Sequence, residues 1–395
     1  MDIRIPIWLT AAPRPGATVF ATLYGIEALS RALIAGVIPL EALALLGAAR
    51  SVSMAYTVVG FVALIASFLI PLLMRSLPRR WIFTIGCLLM VVGPLLMGVA
   101  ALAPFLIGLQ CRSLAVVCVN TSLNLYVLDY ISRKDFVVSE PRRLAFMAAA
   151  WCTGPGLGVY LYKTFGVFAA FAPSAGAALL TLSYFWFLRM RESPAVAPAT
   201  RRPPNPIENV LRYVRQPRLR LAFAIPFARS SFWQTFFIYP SLYIVQNGGG
   251  ALLAGAMLSA GQALLFAAPL FGRLGQRYGL RRMIIAGLVL AGTACGAAGF
   301  LPSNPVAVAV LFFIAAIGAV TLDALGNIAF LRFVHPFERA EMTSVFRTYM
   351  ELSQLLPAAA FAVLLTAFPV RAVFLLMGGY LLVTALIARY LPRRF

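Results

Sequence analysis

A chain of 395 residues that is 62% hydrophobic and 11% charged, with a mean hydropathy of +0.89, holds more apolar surface than a water-soluble fold can hide. Its net charge of +21 would suggest nucleic acid as a partner of a soluble chain, but the arginines fall in alternate gaps between apolar runs, so no nucleic acid is expected. A single histidine, His335, and no Gly-x-x-x-x-Gly-Lys phosphate loop argue against a catalytic triad, a histidine-rich metal site or direct use of ATP; the chain is not expected to be an enzyme or to need a cofactor.

In chain order, apolar runs lie near 17–40, 51–74, 81–101, 104–130, 143–164 and 166–188. Each approaches the roughly 20 residues that cross a bilayer. They are too long and continuous for the alternating strands of a barrel, and helices satisfy their own backbone in hydrocarbon. The first run carries Glu27 and Arg31 at its centre and lacks a small-residue cleavage site, so it reads as a retained helix rather than a signal peptide. The stretch 191–218, with Pro194, Pro198, Pro203, Pro204 and Pro206 among arginines, is too polar to enter lipid. A second set follows near 219–245, 251–274, 282–302, 306–332, 341–366 and 369–390.

The prediction is an all-α integral membrane protein of twelve transmembrane helices in two pseudo-symmetric six-helix bundles, 1–190 and 219–395, joined by a cytoplasmic linker over 191–218. The halves echo each other. Arg79-Arg80 returns as Arg281-Arg282 at an offset of 202, and Asn124-Leu125 with Leu128 returns as Asn327-Ile328 with Leu331 at an offset of 203. Basic clusters mark one side: Arg75, Arg79 and Arg80; Arg133, Lys134, Arg142 and Arg143; the block from Arg189 to Arg220; Arg273, Arg277, Arg281 and Arg282; Arg332 and Arg339; and Arg393-Arg394. Positive loops stay inside during insertion, so both termini are expected in the cytoplasm and the protein in the cytoplasmic (inner) membrane. The five cysteines all lie within apolar runs, without paired or metal-ligand spacing, and read as packing residues.

Ionisable residues inside the runs carry the functional signal. Glu27 and Arg31 lie in the first run, Arg112 in the fourth, Arg229 in the seventh, Asp323 in the tenth, and Arg347 and Glu351 in the eleventh. Each costs roughly 2.5–3.5 kcal/mol at the bilayer centre, so each must pair or line a wet cavity. Glu27 with Arg31, and Arg347 with Glu351, are four apart and share a helical face; mutual neutralisation and proton coupling are both open to them. Asp323 and Asn327 form a polar stripe, either a protonation site or a helix-packing contact. Trp233, with Phe232, Phe236, Phe237 and Tyr239, could stack on an amphipathic solute or serve packing.

Three segments carry a family resemblance. Gly272-Arg273-Leu274-Gly275-Gln276-Arg277-Tyr278-Gly279-Leu280-Arg281 resembles the loop between helices 8 and 9 of major facilitator superfamily transporters, with Gln276 where the family has an acid. Arg75-Ser76-Leu77-Pro78-Arg79-Arg80 is a degenerate first-half copy. Ala150-x-x-x-Gly154-Pro155-Gly156-Leu157-Gly158 is similar to the helix-5 signature of the superfamily's proton-coupled exporters, with Ala150 replacing one glycine. Arg112 stands where the superfamily has a helix-4 arginine associated with proton coupling, although Ser113-Leu114-Ala115-Val116 departs from the pattern.

The resemblance implies gating roles for Gly272, Gly275, Arg277, Gly279 and Arg281, latched to Asp129, and for Gly154, Pro155 and Gly158. It implies a secondary transporter working by alternating access, with a small-molecule substrate, protons or another coupling ion and the lipid bilayer as partners. Proton-coupled export of an amphipathic compound is the leading expectation. Organic-anion uptake or exchange clamped by Arg31 and Arg229 is the second, and a receptor or assembly factor on a transporter fold the third.

Overall fold

The computed structural model describes residues 17–74, 76–130, 136–188, 206–300, 304–335 and 338–392. Among them regular structure is helical. The first span bends at Gly36 into α1 (Ala17–Ala35) and α2 (Val37–Leu46); α3 (Ala49–Leu73), α4 (Arg79–Met97), α5 (Leu102–Tyr130), α6 (Phe136–Phe165) and α7 (Val167–Phe187) follow. A short helix, α8 (Pro206–Arg215), precedes α9 (Pro217–Gln246). The next span is α10 (Gly250–Ala263) and α11 (Ala268–Tyr278), separated by the tighter turn Leu264–Ala267. After α12 (Leu280–Phe300), α13 (Pro305–Leu325) and α14 (Ile328–Phe333) share one span, as do α15 (Arg339–Arg347) and α16 (Tyr349–Leu364), and α17 (Arg371–Ala388) ends the order.

The breaks have local causes. A side chain at Gly36 would press Leu258 and Val159, each 3.0 Å from the position of its Cβ, so glycine lets the bend seat between two other helices. Asn304 caps α13 by accepting from the Ala307 amide at 3.0 Å, with Pro305 in the first turn where its missing N–H costs nothing. Gly279 closes α11 at φ +92°, a conformation strained for any residue with a Cβ.

Among the described residues, ten helical segments are long and apolar enough to cross a membrane. The expected seventh and eleventh spans fall outside that set. α9 carries Arg218, Arg220 and Arg229, and α16 has only 16 residues with Glu351 in its first turn. Both are nevertheless packed within the bundle: α9 lies against α13, α16 and α17, and α16 against α3.

Before the linker, α1 packs on α6 and α7, α4 on α5 and α7, and α3 on α5; after it, α12 packs on α13 and α17. The two groups meet chiefly along α3–α16 and α6–α10, with α2 touching α9. The contacts described between the groups run from the middle of the bundle toward the end opposite the linker. There Ser53 and Tyr239 hydroxyls lie 2.8 Å apart, the Gly156 amide donates to Ser259 Oγ at 2.8 Å, and Gly60 rests against Leu355. In the same region Glu41, buried just past the predicted end of the first run, accepts from Tyr162 Oη at 2.9 Å.

Candidate functional site

Two ion clusters occupy the middle of the bundle, one in each group of helices. In the first, Glu27 is fully buried on α1 and Arg31 sits one turn later. Arg31 Nη2 donates to Oε2 at 2.9 Å, and Nε lies 2.8 Å from Oε1, at ion-pair distance but off the line of a hydrogen bond. Arg112 of α5 stands within Coulombic reach of both and of Tyr56. Among the described residues no acceptor reaches Arg112 Nε, which is buried.

In the second cluster, Arg229 of α9 and Asp323 of α13 form an ion pair at 3.2 Å. Trp233 Nε1, one turn beyond Arg229, donates to the other Asp323 oxygen at 2.8 Å. Arg229 Nη2 also donates to Tyr349 Oη at 3.1 Å, and its guanidinium lies 5.6 Å from the Tyr349 ring centre. Asp323 thus holds two groups from α9 at once. Asn327, at the α13–α14 break, keeps a buried Oδ1 without a partner among the described residues.

Aromatic rings join the clusters. The Arg31 guanidinium lies 5.9 Å from the Trp151 ring, Trp151 is 5.2 Å from Phe237 across the boundary between the helix groups, and Phe237 is 6.4 Å from Trp233. An unbroken path therefore runs from Glu27 through Arg31, Trp151, Phe237 and Trp233 to Asp323. Phe232, Phe236 and Tyr239, by contrast, are buried in packing.

A family model described as Major Facilitator Superfamily matches residues 20–267 and 262–394. The chain belongs to the major facilitator superfamily. Among solved structures it is similar to a POT family transporter in complex with 5-aminolevulinic acid, with a TM-score of 0.78 at 13% identity over 95% of this chain and 97% of that one. It is also similar to the nucleoside transporter NupG, with a TM-score of 0.73 at 13% identity over 94% and 98%. Peptide transporter POT in complex with sulfate gives 0.74 at 15% identity over 94% and 93%. At these identities the likeness shows the fold. Compared with curated protein sequences, the chain gives no significant match.

Within the superfamily fold, the helix-5 glycines have distinct steric roles. A Cβ on Gly154 would lie 2.5 Å from that of Ala32, and one on Gly158 would run into the Leu33 carbonyl oxygen, so both seat α6 against α1. Buried Pro155 lies between them, and Gly156 turns the other way, to Ser259. In the α11 loop, Gly275 is buried, and a Cβ there would come within 2.7 Å of Leu325. Gly272 faces open space, Arg277 is exposed and lies 5.5 Å from the Tyr278 ring, and Arg281 is half-buried. The side chain of Asp129, the expected partner of this loop, lies outside the described residues.

The eleventh span departs from expectation. Spacing places Arg347 and Glu351 on one face only if the helix is regular between them. It is interrupted at Thr348, Arg347 is exposed, and among the described residues no ion pair joins the two. Trp151, Tyr349 and Tyr56 escaped the sequence reading. Their signal was available: each is an aromatic residue with a polar tip set inside an apolar run that also carries small or charged residues.

Proposed function

We propose that the protein is a proton-coupled secondary transporter that exports a small amphipathic organic solute by alternating access, with the linker end of the bundle facing the cytoplasm. The observation that carries this reading is the path from Glu27 to Asp323: a carboxylate in each half, each engaged by an arginine, with stacking surfaces between. Proton arrival at Asp323 cancels the counter-charge of Arg229 and alters the acceptor of Trp233, so charge state and the aromatic wall change together. The export direction rests on the helix-5 resemblance. Gly272, Gly275, Arg277, Gly279, Arg281 and the helix-5 glycines are proposed to shape the moving contacts.

The test is purified protein in liposomes with an imposed pH gradient and ethidium as the amphipathic probe. Gradient-driven movement is expected to fall at least tenfold in Asp323→Asn and Glu27→Gln, while exchange without a gradient persists. Undiminished gradient-driven movement in both variants sinks proton coupling at these acids.

Arg112 supports a second reading, transport of an organic anion. Arg31 and Arg229, the arginines expected to clamp an anion, are already engaged by Glu27 and Asp323. The Nε atoms of all three arginines are buried and unpartnered, but among the described residues Arg112 has no carboxylate paired with it, and such a group favours a carboxylate or phosphate. Accumulation of benzoate that is lost in Arg112→Ala, with ethidium unmoved, favours this reading over the first.

A further inference from the structure

The short helix α8 has two unlike faces. Asn209 and Tyr213, four apart and so on one side, are buried; the Tyr213 hydroxyl donates to the Leu219 carbonyl at 3.0 Å, and its ring lies 6.2 Å from Phe223 of α9. Arg212 adds an ion pair to Glu338, beside the start of α15, with Nη2 and Oε1 2.6 Å apart, and Gln216 reaches the other Glu338 oxygen at 3.4 Å. The opposite side is apolar and uncovered: Val210, Leu211 and Val214 are 45%, 51% and 50% exposed. At 100° per residue these three fall within one arc, turned away from the buried pair.

Next to that stripe the exposed charge is basic. Arg215 ends α8, and Arg218 and Arg220 follow in the first turn of α9, all exposed, with Glu208 as the exposed acid at the other end of the helix. The height of this ensemble follows from α9. Its 30 residues extend about 45 Å, against a hydrocarbon core of about 30 Å, so its first turns reach the headgroup layer. A ten-residue helix held there, with apolar side chains on one face and arginines flanking them, has the make-up of a helix that lies in a membrane interface.

We propose that α8 docks onto anionic phospholipid headgroups at the linker end of the bundle, with Arg215, Arg218 and Arg220 engaging phosphates and Val210, Leu211 and Val214 entering the acyl boundary. The docked helix is mechanically tied to the solute region. Glu338 lies just before α15, whose Phe346 is 5.2 Å from Tyr349, and Tyr349 bonds Arg229. Lipid charge at the surface therefore acts on a helix that connects to the central ion cluster. This inference is independent of the solute and of proton coupling.

The test uses the full-length protein with its five cysteines replaced, a nitroxide at Leu211→Cys or at Glu208→Cys, and nanodiscs of phosphatidylcholine with or without phosphatidylglycerol. Relaxation by oxygen and by a water-soluble nickel complex reports depth. The Leu211 label is expected to become oxygen-accessible and nickel-protected as phosphatidylglycerol is added, with the Glu208 label staying nearer water. In Arg215→Glu/Arg218→Glu/Arg220→Glu the ratio of immersed to water-exposed Leu211 label falls about 100-fold, three roughly fivefold losses or more combined. All three arginines are exposed, and monodisperse elution checks folding of the variant. A Leu211 label as open to nickel as Glu208 in phosphatidylglycerol discs overturns the proposal. So does protection from both oxygen and nickel, which would mean protein, such as a second copy, covers the stripe, and so does immersion that ignores both lipid charge and the triple reversal.

Discussion

Glu27 and Asp323 are each met by a guanidinium, from one turn along the same helix in the first case and from a facing helix in the second. The two pairs differ in what surrounds them. Glu27 is fully buried and Arg31 15% exposed, whereas Asp323 is 23% exposed in its side chain and Arg229 11%, so the carboxylate of the second pair is the more screened. Breaking a largely buried pair from one side leaves the other charge uncompensated. Asp323→Asn is therefore expected to destabilise the fold by about 2–3 kcal/mol in equilibrium unfolding from mixed micelles, even though the amide can still accept from Trp233. Arg347→Ala is expected to change stability by less than about 0.5 kcal/mol, because that side chain is exposed and forms no ion pair among the described residues. Equal effects of the two would contradict the ion-pair geometry.

Glycine decides how closely the helices approach. α6 is held against α1 through Gly154 and Gly158, and α11 against α13 through Gly275. In lipid, where apolar contact alone gives helices little reason to associate, such small-residue contacts carry much of the packing. Gly158→Ala is expected to separate α6 from α1 and to lower both folded yield and transport, since the added methyl meets the Leu33 backbone, which cannot rotate away. Gly272→Ala, a change in open space within a helix, is expected to be neutral or to stabilise by up to about 1 kcal/mol. Gly279→Ala, at φ +92°, is expected to cost about 1–2 kcal/mol. Thermal stability of the purified variants orders them; a Gly272→Ala less stable than Gly158→Ala would refute the steric account.

Across the whole molecule the boundary between the helix groups is one arrangement used twice. If the sequence repeat is followed, α3 corresponds to the α10–α11 span and α6 to the α15–α16 span, so the α3–α16 and α6–α10 contacts exchange under the repeat. Alternating access in repeat-built transporters works by rocking one bundle against the other at such a boundary. The Gly60 Cβ position lies 3.5 Å from that of Leu355, at the short end of disulfide geometry. In a cysteine-free background, Gly60→Cys/Leu355→Cys is expected to cross-link on oxidation, to stop transport, and to recover it on reduction. Cross-linking without loss of transport would show that this boundary does not move during the cycle.

Hydrophobic run length and arginine placement, both local properties, were enough to specify an all-helical membrane chain with a polar linker, and short motifs pointed to the superfamily. Spacing likewise foretold the Glu27–Arg31 contact, because residues four apart on a regular helix meet whatever surrounds them. Where that regularity is interrupted, as at Thr348, the same spacing gives no ion pair between Arg347 and Glu351 among the described residues. The Arg229–Asp323 pair is separated by most of a hundred residues, and the Trp151–Phe237 contact by the linker. No periodicity encodes which helices become neighbours. That choice belongs to the packing of side chains between helices, so the tertiary structure alone joined two isolated charge clusters into one path and left Arg112, among the described residues, without a paired carboxylate.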